Sequence, residues 1–88
     1  MSVHSSHPEI VKRLKRASGH LQSVIKMIEE EKPCLEIAQQ IHAVESAIIN
    51  AKKALIHDHL DHCLEHVLEN KKPSTKAAKE FKEIAKYL

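Results

Sequence analysis

Residues 33–73 read PCLEIAQQIHAVESAIINAKKALIHDHLDHCLEHVLENKKP, with neither Gly nor Pro between the two bounding prolines. The residues that most readily stop a helix are therefore missing from the whole interval. Cys34, Ile37, Ile41, Val44, Ile48, Ala51 and Leu55 alternate at spacings of three and four, which makes one stripe on a helix. Leu35, Ala38, Ile49, Ile56, Leu60, Leu64 and Val67 form a second stripe beside it. One long helix with two apolar stripes needs two packing partners. The expected partners are another helix of the same chain and a second copy of the chain.

Upstream, Ser6-His7-Pro8-Glu9 fits the S-x-x-E capping pattern, with Pro tolerated in the first turn. Ile10, Leu14, Ala17, Leu21, Val24 and Ile28 then form the stripe of a first helix. The Glu29-Glu30-Glu31-Lys32-Pro33 stretch closes it, because the residue before Pro is pushed out of helical geometry. Downstream, Ser74 or Thr75 is the predicted N-cap of a short third helix, with Ala78, Phe81, Ala85 and Leu88 on its buried side. The prediction is an all-α chain of three helices in a single domain over residues 1–88, with residues 1–7 a mobile N-terminal tail.

Composition sets the outer limits. Eighty-eight residues bury little apolar surface, so a metal, a disulfide or a partner chain is expected to help. Phe81 and Tyr87 are the only aromatics, leaving an aliphatic core of the kind that fills helix bundles. No apolar run is long enough for a membrane span, and Met1 to Pro8 has no signal-peptide core. The expected address is the cytoplasm, where two cysteines serve more readily as metal or redox ligands than as a structural disulfide. A net charge of +2 does not by itself imply a nucleic-acid partner, whereas eight histidines direct attention to metals.

His59 and Cys63 stand four apart, so both project from one helix face about one turn apart. Imidazole and thiolate together suit the softer transition metals. At about 1.5 Å per residue, a continuous helix puts Cys34 about 37 Å from His59, so one chain cannot bring both to one ion. An antiparallel dimer can, because the start of one long helix then lies beside the far end of its mate, and the shared site occurs twice. A buried small hydrophobe at the head of a core stripe is the other reading of Cys34, and the periodicity admits both.

These residues also carry a resemblance. Gly19-His20-Leu21, Gln39-Gln40-Ile41, Ala43-Val44 and His57-Asp58-His59-Leu60-Asp61-His62-Cys63 resemble the CsoR/RcnR family of copper- and nickel/cobalt-sensing repressors, most closely its NreA-like nickel-resistance branch. The similarity runs from about Pro8 to Leu88. It implies helical dimers that form a four-helix bundle with the long second helix and pair into tetramers. It also implies a metal site in which Cys34 of one subunit joins His59 and Cys63 of another. The Cys-His-Cys set resembles that of Cu(I) sensors, while Ni(II) or Co(II) needs further ligands, for which His4 and His7 are the candidates. Pro33 stands where copper-sensing members place a Tyr. Glu80 aligns with a carboxylate that supports the metal-bound His. The implied function is a repressor that holds operator DNA when metal-free and is released by Cu(I) or Ni(II)/Co(II).

For DNA, the resemblance implicates a basic face, here Lys12, Arg13, Lys15 and Arg16 in the first helix with Lys52 and Lys53 in the second. Ser18 and Asn50 stand where many members carry arginine. A metal-binding accessory or buffer protein of a resistance system, without DNA activity, is thus the alternative. His62-Cys63-Leu64-Glu65-His66 spells the H-x-x-E-H of zinc peptidases, but such an enzyme needs a third ligand and a cleft that a short helical chain is poorly equipped to supply. No enzymatic activity, small-molecule substrate or membrane partner is expected. The sequence assigns no role to His20, His42, His57, His62 or His66.

Overall fold

A computed structural model describes residues 6–70 and 75–88, with side chains described for residues 6–61 and 78–88. Three helices make up the described chain: α1 (His7–Glu29), α2 (Cys34–Asn70) and α3 (Thr75–Ala85). The uninterrupted stretch after Pro33 is one helix of 37 residues, opened by the bond from Ile37 N–H to the Pro33 carbonyl at 3.1 Å. At a rise of about 1.5 Å per residue it is about 55 Å long. It thus accounts for the 58 Å length of the molecule, which measures 58 × 26 × 14 Å.

The first helix folds back along α2 as an antiparallel hairpin. Every seventh residue of α1 is buried, namely Ile10, Ala17 and Val24, and they meet Val44, Ala51 and Ile56 of α2 as the core. Two of these six are alanines, which lets the two backbones approach closely. A thickness of 14 Å is one helix layer, so no described residue covers the other half of each stripe. Leu14, Leu21 and Ile28 of α1, with Ile41, Ile48 and Leu55 of α2, remain 40–53% exposed. Together they make an apolar face that no described part of the chain covers.

Three expectations change. Ser6 sits at the N-cap but makes no side-chain capping bond, and its Oγ is buried without a hydrogen-bond partner. Its backbone, at φ −82° and ψ −16°, is already helical, whereas a capping side chain needs an extended backbone to reach the free N–H groups. His7 is the first residue of α1 rather than part of the tail. Ala78 and Phe81 of α3, and Leu88 beyond its end, are exposed rather than buried, because α3 packs against the end of a single layer. Ser74 and the tail residues 1–5 lie outside the described residues.

The turn between α1 and α2 is a Schellman motif. Lys32 N–H bonds the Met27 carbonyl at 3.0 Å and Glu31 N–H bonds that of Ile28 at 3.1 Å. The motif needs a left-handed residue at Glu31, whose φ is 58°. Glycine adopts this conformation without the clash that any side chain brings. Three glutamates, Glu29 to Glu31, also crowd the negative end of the helix dipole. Glu31→Gly is therefore expected to stabilise the protein by about 1 kcal/mol. Urea denaturation at fixed protein concentration measures this, and a lowered midpoint would show that the Glu31 side chain has a stabilising partner.

Candidate functional site

The far end of α2 carries His59, half-buried, and α3 folds back to meet it. Together they line a recess of about 510 Å³ formed by His59, Glu80, Glu83, Ile84, Lys86 and Tyr87. The carboxylate expected beside His59, Glu80, thus shares its recess and is itself half-buried. Glu83 stands one turn further along α3 and was not foreseen, although the i, i+3 spacing of two glutamates was there to be read. On the other side, His7 Nε2 of α1 lies 3.7 Å from Asp58 Oδ2, next in sequence to His59. This ties the start of α1 to the histidine end of α2. His4, and the side chains of Cys63, His62, Glu65 and His66, lie outside the described residues.

Cys34 opens α2 at the opposite end as a free, exposed thiol. Its burial as a small hydrophobe, one of the two readings of the sequence, does not occur within the chain. Among the described residues no three His, Cys, Asp or Glu side chains are close enough to hold a metal ion. The donor types do fit a soft or borderline ion. An accessible sulfur and an imidazole flanked by carboxylates are both present, but at the two ends of a rod.

Between the ends, α1 and α2 enclose a groove of about 310 Å³ lined by Glu9, Arg13, Arg16, His20 and Asn50, among others. Arg13 Nε lies 4.0 Å from Glu9 Oε1, so its charge is partly matched. Asn50 gives the groove a neutral wall. His20 Nε2 donates to Gln40 Oε1 at 2.7 Å, a part-buried bond that crosses from α1 to α2. Lys12, Lys15 and Arg16 are exposed on α1, as are Lys52 and Lys53 on α2. His42 pairs at the surface with Glu45 at 3.6 Å, and His57 is exposed. No helix among the described residues is long and apolar enough to cross a membrane.

A single layer of helices with a thiol at one end, an imidazole at the other and exposed basic side chains between them suits a small helical regulator. The chain belongs to the metal-sensitive transcriptional repressor family, which matches residues 6–88. It is 39% identical over 51 residues to the copper-sensing transcriptional repressor CsoR of Mycobacterium ulcerans (strain Agy99), covering 58% of this chain and 44% of that protein. It is 42% identical over 53 residues to the copper-sensing repressor RicR of Mycobacterium tuberculosis (strain ATCC 25618 / H37Rv), covering 60% and 55%. With CsoR of Bacillus subtilis (strain 168) the identity is 34% over 62 residues, covering 70% and 61%. The chain thus spans about half the length of these relatives. The structure of the nickel-responsive transcriptional regulator InrS superposes with a TM-score of 0.85 at 28% identity, over 97% of this chain and 96% of that one. The family is one of repressors and not of enzymes, so the H-x-x-E-H spelling is a coincidence of a histidine-rich helix.

The His20–Gln40 bond is a part-buried side-chain hydrogen bond between α1 and α2. Gln40→Ala should destabilise the protein by about 1 kcal/mol, the usual net value of such a bond. A double-mutant cycle with His20→Ala in urea denaturation isolates it, and strict additivity of the two changes would deny the bond in solution.

Proposed function

We propose that the chain is a metal-responsive repressor that binds operator DNA when metal-free and releases it on capturing a transition metal between subunits. The ligands are Cys34 of one chain with His59 and Cys63 of its mate, and Glu80 steadies the imidazole. The observation that carries this reading is the pairing of two facts. The ends of α2 hold the donors too far apart for one chain, and an apolar face along the same helices calls for a second copy. Laying two copies antiparallel over that face answers both, since it forms a four-helix bundle and brings each Cys34 toward the histidine end of the mate. Two such dimers pairing into a tetramer complete the assembly, in the cytoplasm.

Cu(I) and Ni(II) or Co(II) are the ions this site suits. Two thiolates and one imidazole satisfy trigonal Cu(I), and the named copper-sensing relatives favour it. The carboxylates of Glu80 and Glu83 and the tether of His7 near His59 offer the extra donors that Ni(II) or Co(II) takes, and the superposable regulator is nickel-responsive. X-ray absorption of protein loaded by metal competition distinguishes three-coordinate sulfur-rich binding from a higher-coordinate site. Asn50 in the groove favours the second reading, a metal-binding accessory protein that lacks DNA activity. Binding to the chain's own upstream DNA that falls with salt and is reversed by metal excludes it.

Cys34→Ala, His59→Ala and Cys63→Ala should each bind operator DNA as the wild type does, yet fail to release it with metal. A mixture decides whether the site is shared. In a heterodimer of Cys34→Ala and His59→Ala chains, one site loses both residues and the other is intact. Mixing the two inactive variants in equal amounts should therefore restore about a quarter of the wild-type metal stoichiometry if the site is intersubunit, since about half of the dimers are then heterodimers with one intact site each. Recovery of none would place all three ligands in one chain and end the proposal.

A further inference from the structure

Gly19 sits in the middle of α1, where a glycine costs about 0.5–1 kcal/mol relative to alanine. No described residue requires it. Its φ is not positive, and a methyl group added there would meet no atom within 4 Å. At about 100° per residue, Lys12, Lys15, Arg16, Gln22, Ser23 and Lys26 all fall within about 60° of it on the helix surface. All six are exposed, and none is a carboxylate. Ser23 Oγ donates to the Gly19 carbonyl at 3.3 Å, so a hydroxyl also borders the bare backbone.

The same helix turns Ala17 and Val24 to α2, and Leu14, Leu21 and Ile28 to the uncovered apolar face. The glycine-centred face points the other way. A second copy laid on the apolar face therefore leaves it open, and the free space over Gly19 is not room reserved for that copy. Four cations around a bare stretch of backbone match one kind of occupant, a closely approaching polyanion.

Resting on the repressor reading above, we propose that Gly19 is the point of closest approach of α1 to the DNA backbone. The missing side chain lets the sugar-phosphate strand sit against the helix, while Lys12, Lys15, Arg16 and, one turn beyond, Lys26 reach its phosphates. Arg13, about 120° from Gly19 around the helix and paired with Glu9, contributes less than Lys26, whereas Arg16, at about 60°, borders both this face and the groove.

The test pairs two readouts on the full chain: urea denaturation, and fluorescence anisotropy of a labelled duplex carrying the chain's own upstream region at several salt concentrations. Gly19→Ala should raise the urea midpoint while weakening DNA binding about tenfold, with the salt slope unchanged. Gly19→Leu should weaken it further. Lys26→Gln should lower the slope by about one phosphate contact. Wild-type affinity in Gly19→Ala and Gly19→Leu overturns the inference while leaving the repressor reading intact. A change of oligomer mass in Gly19→Ala overturns it too, in favour of contact between copies. Absence of DNA binding by the wild type removes the repressor reading, and this inference with it.

Discussion

The structure depends on the continuity of α2. An α-helix advances only about 1.5 Å per residue but does not bend back, so 37 residues without a break become a strut as long as the molecule. A strut separates whatever lies at its two ends. It also presents more apolar surface than one antiparallel neighbour can cover. Both the separation of Cys34 from His59 and the open apolar face are therefore consequences of one fact, the lack of a helix breaker between Pro33 and Pro73. A chain broken near Asn50 could have brought its cysteine and histidine together unaided. In the proposed reading, this one leaves the task to association.

Much of this was legible in the sequence, for physical reasons that differ by element. The limits of α2 follow from proline, whose effect on a helix is nearly independent of context. The seam between α1 and α2 was only half legible. Periodicity found the residues Ile10, Leu14, Ala17, Leu21, Val24 and Ile28, but not that alternate ones face different neighbours. That division depends on where α2 lies, which no local pattern carries. The turn at Glu31 was least legible, because a left-handed backbone is normally signalled by Gly or Asn and here is imposed on a glutamate by the Schellman bonds.

The site divides in the same way. Spacing within one helix paired His59 with Cys63, and length excluded Cys34 from that pair within one chain. The resemblance suggested Glu80, which does line the histidine recess. Sequence gave no hint that His7 meets Asp58 or that His20 meets Gln40, since both contacts span distant positions and depend on hairpin register. Ser6 misled, because its pattern was right but its backbone was already helical. Cysteine at the head of an apolar stripe could be core or ligand, and the structure excludes only its burial within its own chain.

A sensor must carry an event at its metal end to a distant surface, and the single layer of helices limits how. The seam between α1 and α2 is a buried row of Ile, Val and Ala side chains, crossed at intervals by the His7–Asp58 and His20–Gln40 contacts. Such a hairpin moves as one body more readily than it deforms. The softer boundary is the apolar face, where one hairpin would meet another. In the proposed assembly, an ion gripped across that boundary fixes the angle between two hairpins, and so the spacing of the basic faces they carry on their outer sides. Metal and DNA then compete through the relative placement of rigid bodies, without touching each other. Linkage makes the effect mutual: whatever factor the ion takes from DNA affinity, bound DNA takes from affinity for the ion.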